Sequence, residues 1–160
     1  MRRKRRQSDH SHKGMAMLVV LFIVAAIAVV ASGFIARSDA QLQSGYNYTL
    51  HAEADYLAWS GLEHARALVV SPDNMTALPG WSGAGIQLDA TTGAYYDLTI
   101  DAPVETFAAD PNDPSTYTYS VLSSAYLIDG GTVRARSKLG GQLFYDPNSS
   151  DCYFLSVTRP

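Results

Sequence analysis

The sequence predicts an α+β fold: one long N-terminal helix, membrane-spanning in its first half and amphipathic in its second, packed on a small antiparallel β-sheet. Three observations carry this expectation. Met15 to Ala36 is an uncharged run of 22 residues. From Arg37 to Val70 there is no proline, and apolar or small residues recur mostly at three- and four-residue spacing. Beyond Pro72 the composition turns to glycine and proline, and then to short runs rich in tyrosine, valine and threonine.

The first element is a basic leader, residues 1–14, MRRKRRQSDHSHKG. Its six Lys/Arg against one Asp give +5, which leaves six basic and fourteen acidic residues, or −8, for the rest of the chain. The twenty residues beyond Ala36 offer only Arg37 against Asp39, Glu53 and Asp55. The positive-inside rule therefore predicts a cytoplasmic N-terminus, with everything from Arg37 exported across a bacterial inner membrane into the periplasm. Residues 15–36, as a helix, would span ~33 Å, slightly more than the ~30 Å hydrocarbon core of a bilayer. A secretory signal peptide would have a shorter apolar stretch, although Ser38-Asp39-Ala40 supplies a poor cleavage site before Gln41. An uncleaved signal anchor is the other reading of the same run.

Residues 37–71 continue the helix outward. Leu42, Tyr46, Leu50, Leu57, Gly61, Leu62, Ala65, Leu68 and Val69 supply an apolar stripe, Gln41, Gln43, Asn47, Asp55, Glu63 and Arg66 a polar face, and Ser71-Pro72 the stop. A helix from Met15 to Val70 would be roughly 80 Å long, far beyond the usual three or four turns. Such a length suits either a spacer that holds a domain off the membrane or a rod that packs against similar rods.

Residues 72–160 are expected to form loop and sheet. The stretch 72–93, with two prolines, four glycines and Trp81, reads as a connecting loop. Strands are expected at Ala94–Ile100, Thr116–Ile128, Thr132–Leu139, Gln142–Tyr145 and Cys152–Thr158. Asp129-Gly130-Gly131 signals a tight hairpin, because a two-residue turn needs positive φ at its centre. Gly140-Gly141 reads as a bulge or turn. Simple alternation puts Val133, Ala135, Ser137 and Leu139 on one face, and Arg134, Arg136 and Lys138 on the other as a solvated, aggregation-resistant stripe or a contact for an acidic neighbour. The single cysteine, Cys152, allows no intrachain disulfide and is expected as a small apolar residue buried in a strand.

Catalytic chemistry is hard to find. His10 and His12 lie in the leader, while His51 and His64 are thirteen residues apart on the helix and are expected at the surface. There is no nucleophile elbow, phosphate loop or zinc motif. No enzyme activity and no cofactor are expected, and the acidic balance of the exported part argues against nucleic acid as a partner. Asp110, Asn112 and Asp113 offer oxygen ligands to calcium, but they lack EF-hand spacing, and Pro111 and Pro114 explain the segment as a rigid loop.

Leader, apolar helix and the segment Ala54-Asp55-Tyr56-Leu57-Ala58-Trp59-Ser60-Gly61-Leu62-Glu63-His64-Ala65, occurring in this order, resemble the type IV pilin superfamily. Within it they look most like the minor pseudopilin K family of type II secretion and the PilX-type minor pilins. The resemblance covers residues 1–70, about half the chain. It implies cleavage between Gly14 and Met15 by a prepilin peptidase, methylation of the new N-terminus, and incorporation into a filament through an inner-membrane assembly platform. Val19, Leu57, Ala58, Gly61, Leu62 and Ala65 would then take part in packing against other pilins or pseudopilins.

One departure is informative. Major pilins usually carry Glu at the fifth mature position, which here is Val19. A charge there would cost ~2.5–3.5 kcal/mol in the bilayer, which valine avoids. The families resembled also tend to lack this Glu, and a tip or initiating position in the filament fits its absence. Size departs from the K family, whose large extra helical domain does not fit into residues 37–160; a PilX-like or reduced minor pilin suits the sheet better. Two alternatives stand beside this reading: a permanently anchored single-pass protein with a periplasmic binding domain, and an exported soluble domain released near Ala40.

Overall fold

The computed structural model describes residues 11–71, 80–89, 93–107 and 115–160. One helix, α1 (Ser11–Val70), precedes six strands: β1 (Trp81–Asp89), β2 (Ala94–Ile100), β3 (Val104–Thr106), β4 (Thr116–Asp129), β5 (Thr132–Asp146) and β6 (Asp151–Thr158). The arrangement is α+β, and the chain divides into two compact units, Met1–Tyr46 and Asn47–Pro160.

In the first unit every residue from Met15 to Tyr46 is exposed. A helix tolerates such isolation because its backbone N–H and C=O groups satisfy one another. Even the hydroxyl within the apolar run is satisfied locally: Ser32 Oγ donates to the Val29 carbonyl at 2.8 Å.

In the second unit, α1 lies on the sheet from Ala54 onward. Ala54, Leu57, Ala58, Gly61, Leu62, Ala65 and Val69 are buried, at the three- and four-residue steps that line one helix face. Leu57, Ala58, Leu62, Ala65 and Val69 share one core with Leu98, Ile100, Tyr119, Val121, Leu139 and Leu143 of the sheet. Burying a side chain such as Leu62 stabilises the fold by roughly 1.5–3 kcal/mol. Small residues let helix and sheet approach closely. A Cβ added at Gly61 would run into Ser123 Oγ and stand 3.0 Å from the Tyr96 ring.

The sheet is antiparallel throughout, in the order β1-β2-β4-β5-β6, with β3 also paired to β4. Strands β2 and β3 follow one another along the same side of β4. Ala94–Ile100 pairs with Leu127–Val121, the Asp101 N–H donates to the Ser120 carbonyl at 2.9 Å, and Val104–Thr106 then pairs with Thr118–Thr116. Pro103, which has no N–H to donate, occupies the gap. The expected hairpin forms: Asp129 pairs with Thr132 around Gly130 (φ 57°) and Gly131 (φ 79°), a turn that favours glycine at both central positions.

Three expectations are corrected. Residues 81–89, expected in a loop, form β1, whose register shifts between Gly83 and Ile86. Asp97 pins this irregular stretch by accepting from the Gly85 N–H at 2.7 Å and from the Tyr126 hydroxyl at 3.3 Å. Gly140 and Gly141 do not end a strand but lie inside β5, paired with Leu122 and Val121 on one side and Thr158 and Val157 on the other. A Cβ at Gly141 would come within 3.1 Å of the Phe154 ring, so glycine makes room for an aromatic neighbour. Finally, strict alternation in β5 fails at its start. A register shift between Leu127 and Ile128 leaves Arg134 without a Cα partner and sets Val133 opposite Ile128, where it is exposed.

Candidate functional site

The stretch Met15–Ala36 is apolar on all sides rather than along one stripe; Leu18, Phe22, Ile27 and Phe34 are all exposed. A surface helix of a soluble domain shows a polar face, whereas a helix apolar all round needs lipid or apolar neighbours. Among the described residues, α1 is the helix long and apolar enough to cross a membrane, and none of its apolar window is buried within the chain's own fold. This separates it from a core helix. The Gly14–Met15 bond lies in the first turns of α1, and Val19 is exposed in the same unit. The other positions named for filament packing, Leu57, Ala58, Gly61, Leu62 and Ala65, are buried against the chain's own sheet. Of the six, Val19 alone presents an open surface.

No protein family, curated protein or solved structure matches the chain.

The polar chemistry of the second unit ties the helix to the sheet. Asp55 accepts from Ser137 Oγ of β5 at 2.5 Å and from Arg159 Nη2, just past β6, at 2.6 Å. His64, expected at the surface, is half-buried: its Nδ1 shares a 2.9 Å hydrogen bond with the Tyr96 hydroxyl, and its ring meets Trp81 and Tyr96 edge-on. Helical spacing carries no trace of this, because its partners come from β1 and β2, distant in sequence. Burial pushes the Tyr96 hydroxyl above its ordinary pKa. The Tyr126 hydroxyl is also raised, by desolvation first and then by the charge of Asp97.

Cys152 is buried in β6, as expected for a small apolar residue. Desolvation raises its thiol pKa above 9.0, more than the neighbouring Arg66 guanidinium lowers it, so the reactive thiolate is scarce at neutral pH. Among the described residues, no three His, Cys, Asp or Glu side chains converge as a metal-ion cluster. The calcium candidates Asp110, Asn112 and Asp113 lie outside the described residues.

Proposed function

We propose that this chain is a minor pilin or pseudopilin, a structural subunit of a type IV pilus or a type II secretion pseudopilus. It enters the bacterial inner membrane through Met15–Ala36 with its leader in the cytoplasm. A prepilin peptidase cleaves at Gly14–Met15, and the assembly platform then draws the subunit into a filament at low copy, with the missing acid at Val19 suiting a tip position. The observation that carries the reading is the exposed, uncharged stretch Met15–Ala36 of α1, which needs apolar neighbours, in a chain whose helix continues onto an antiparallel sheet. Removal of the +5 leader would free that helix from its anchor on the cytoplasmic face. The work of the protein is assembly rather than catalysis.

Intact-mass measurement and N-terminal sequencing of protein from cells with active prepilin peptidase test this. A methylated start at Met15 is expected. A start at Met1 would mark a permanent anchor carrying a periplasmic binding domain, and a start at Gln41 an exported soluble domain; either ends the pilin reading.

A further inference from the structure

Among the described residues, four stretches of strand have no neighbour on one side: β1, the short β3, the part of β5 before Gly140, and β6. β3 spans only Val104–Thr106 and follows Pro103, too short an edge to template another strand, and two of the remaining three carry features that obstruct pairing with another chain. β1 breaks register at Gly83/Ile86 and again at Gln87/Asp89. The start of β5 carries three exposed cations: Arg134, which has no Cα partner on β4 and forms an ion pair with Asp129, and Arg136 and Lys138. Bulges and edge cations are the usual means of blocking edge-to-edge association. β6 differs. It contains no Lys, Arg or Pro, and Tyr153 and Leu155 on it are 49% and 52% exposed. It does carry one register shift, opposite Gln142 and Leu143, against two in β1, and this leaves Leu155 without a partner on β5. What sets β6 apart is therefore its lack of an edge cation or proline together with its exposed apolar side chains.

Charge along the β5–β6 hairpin indicates what pairs there. Asp146 and Asp151 lie at the turn end, while Arg136, Lys138 and Arg159 lie at the opposite end. Between them Leu139–Tyr145 and Cys152–Thr158 carry no charge. We propose that β6 pairs antiparallel with β6 of a second copy of this chain, about a twofold axis near Phe154 and Leu155, joining two sheets edge to edge. Antiparallel pairing brings the acidic end of each hairpin to the basic end of the other, whereas parallel pairing sets like charges together. A second copy fits because one edge supplies both halves of the complement, as a self-complementary twofold interface requires. Arg159 also bonds Asp55, yet its guanidinium keeps further N–H donors for Asp151 of the other copy. The pairing does not depend on the filament reading, since it uses only the sheet.

The full chain in detergent micelles provides the test. Leu155→Cys, Leu88→Cys on the β1 edge and Val133→Cys on the β5 edge are each oxidised mildly, with buried Cys152 present in all three. Cysteines on facing edge strands fall within the roughly 4.4–6.8 Å Cα separation that a disulfide spans, so Leu155→Cys is expected to form dimers at least about tenfold faster than the other two. Equal rates at all three edges, or no dimer at Leu155→Cys, overturn the proposal. Adding Asp151→Lys should slow the Leu155→Cys reaction, and mixing that variant with Lys138→Glu/Leu155→Cys should restore it as a mixed dimer. Rates indifferent to both charges overturn the antiparallel pairing.

Discussion

Two stretches of one helix, Met15–Ala36 and Ala54–Val69, are both rich in apolar residues and live in opposite surroundings. The first is exposed on every side; the second buries a stripe of Ala54, Leu57, Ala58, Gly61, Leu62, Ala65 and Val69 against a sheet. What differs is distribution about the axis and side-chain size. Large apolar groups all round call for a fluid apolar solvent, which adapts to any shape. A narrow stripe studded with alanine and glycine suits a fixed partner that approaches closely. Hydrophobic content alone does not separate these cases.

The largest expected effect tests the contrast directly. Leu62→Ala should cost the second unit about 2–5 kcal/mol, because it removes fully buried methyl groups and leaves a cavity. Ile23→Ala should leave that unit's thermal unfolding, followed by near-ultraviolet circular dichroism, where it was. Equal losses from both would mean that the apolar stretch Met15–Ala36 also supports the folded core.

Reversing the chemistry sharpens the other side. Ile23→Lys places a cation in the middle of the apolar run, a cost of about 2.5–3.5 kcal/mol on insertion scales. The fraction resisting alkaline extraction from membranes should fall. Glu53→Lys, at an exposed position in the second unit, should extract like the parent chain. Loss of membrane retention in both would remove the basis for a single span at Met15–Ala36.

Close approach is a property of the second stretch alone. Gly61→Ala gains about 1 kcal/mol of helix propensity but overpacks the contact with Ser123 and Tyr96, which costs about 1–3 kcal/mol. A net loss is expected, read as a lower unfolding temperature. Ser123 Oγ is fully buried and has no hydrogen-bond partner. Ser123→Ala should therefore be nearly neutral alone and should recover part of the Gly61→Ala loss, because it deletes the nearest obstructing atom. Strictly additive effects would show that the two residues do not meet. By contrast, nothing lies within 4 Å of a Cβ built at Gly33 in the first stretch.

These contrasts also explain how much of the structure was legible beforehand. Periodicity revealed both halves of α1, because environment acts on each turn alike. β2 was readable to the residue, since Ala94, Tyr96, Leu98 and Ile100 alternate strictly inward. The Asp129-Gly130-Gly131 turn was legible because its backbone demands particular residues. β1 was not: its glycines look like loop when their role is to bend a strand whose irregularity Asp97 holds from outside. The continuity of β5 through Gly140-Gly141 depends on the Phe154 ring, which no local window contains. Among the positions named for packing, spacing could not tell a stripe turned toward another subunit from one turned toward the chain's own sheet, and Leu57 to Ala65 face the latter.

A smaller difference should appear with pH. Met15–Ala36 contains no titratable side chain, whereas Tyr96, Tyr126 and Cys152 in the second unit all have raised pKa values. A raised value means that the folded state holds the proton more tightly than the unfolded one. That contribution is complete below the ordinary values of 9.0 for the thiol and 10.0 for the phenols, and is lost as pH climbs past them. The second unit should melt at progressively lower temperature above pH 9, while the helical signal of a peptide spanning residues 15–36 in micelles stays constant. Melting that is flat to pH 11 would contradict the burial of these groups.

The smallest expected effect concerns the link between Asp55 and Arg159. The ion pair is short at 2.6 Å, but its side chains are 32% and 70% exposed, so water and salt screen much of the attraction. Arg159→Gln should cost no more than about 1 kcal/mol and should lose even that in high salt. Asp55→Ala should cost more than Arg159→Gln, because it also strips the acceptor from the half-buried Ser137 hydroxyl, whose bond does not depend on ionic strength in the same way. The discriminating measurement is the salt dependence of the two melts. If adding salt erases the whole Asp55→Ala effect, the carboxylate acts on the second unit only through its charge; a residue that survives high salt belongs to the hydrogen bond that fastens α1 to β5.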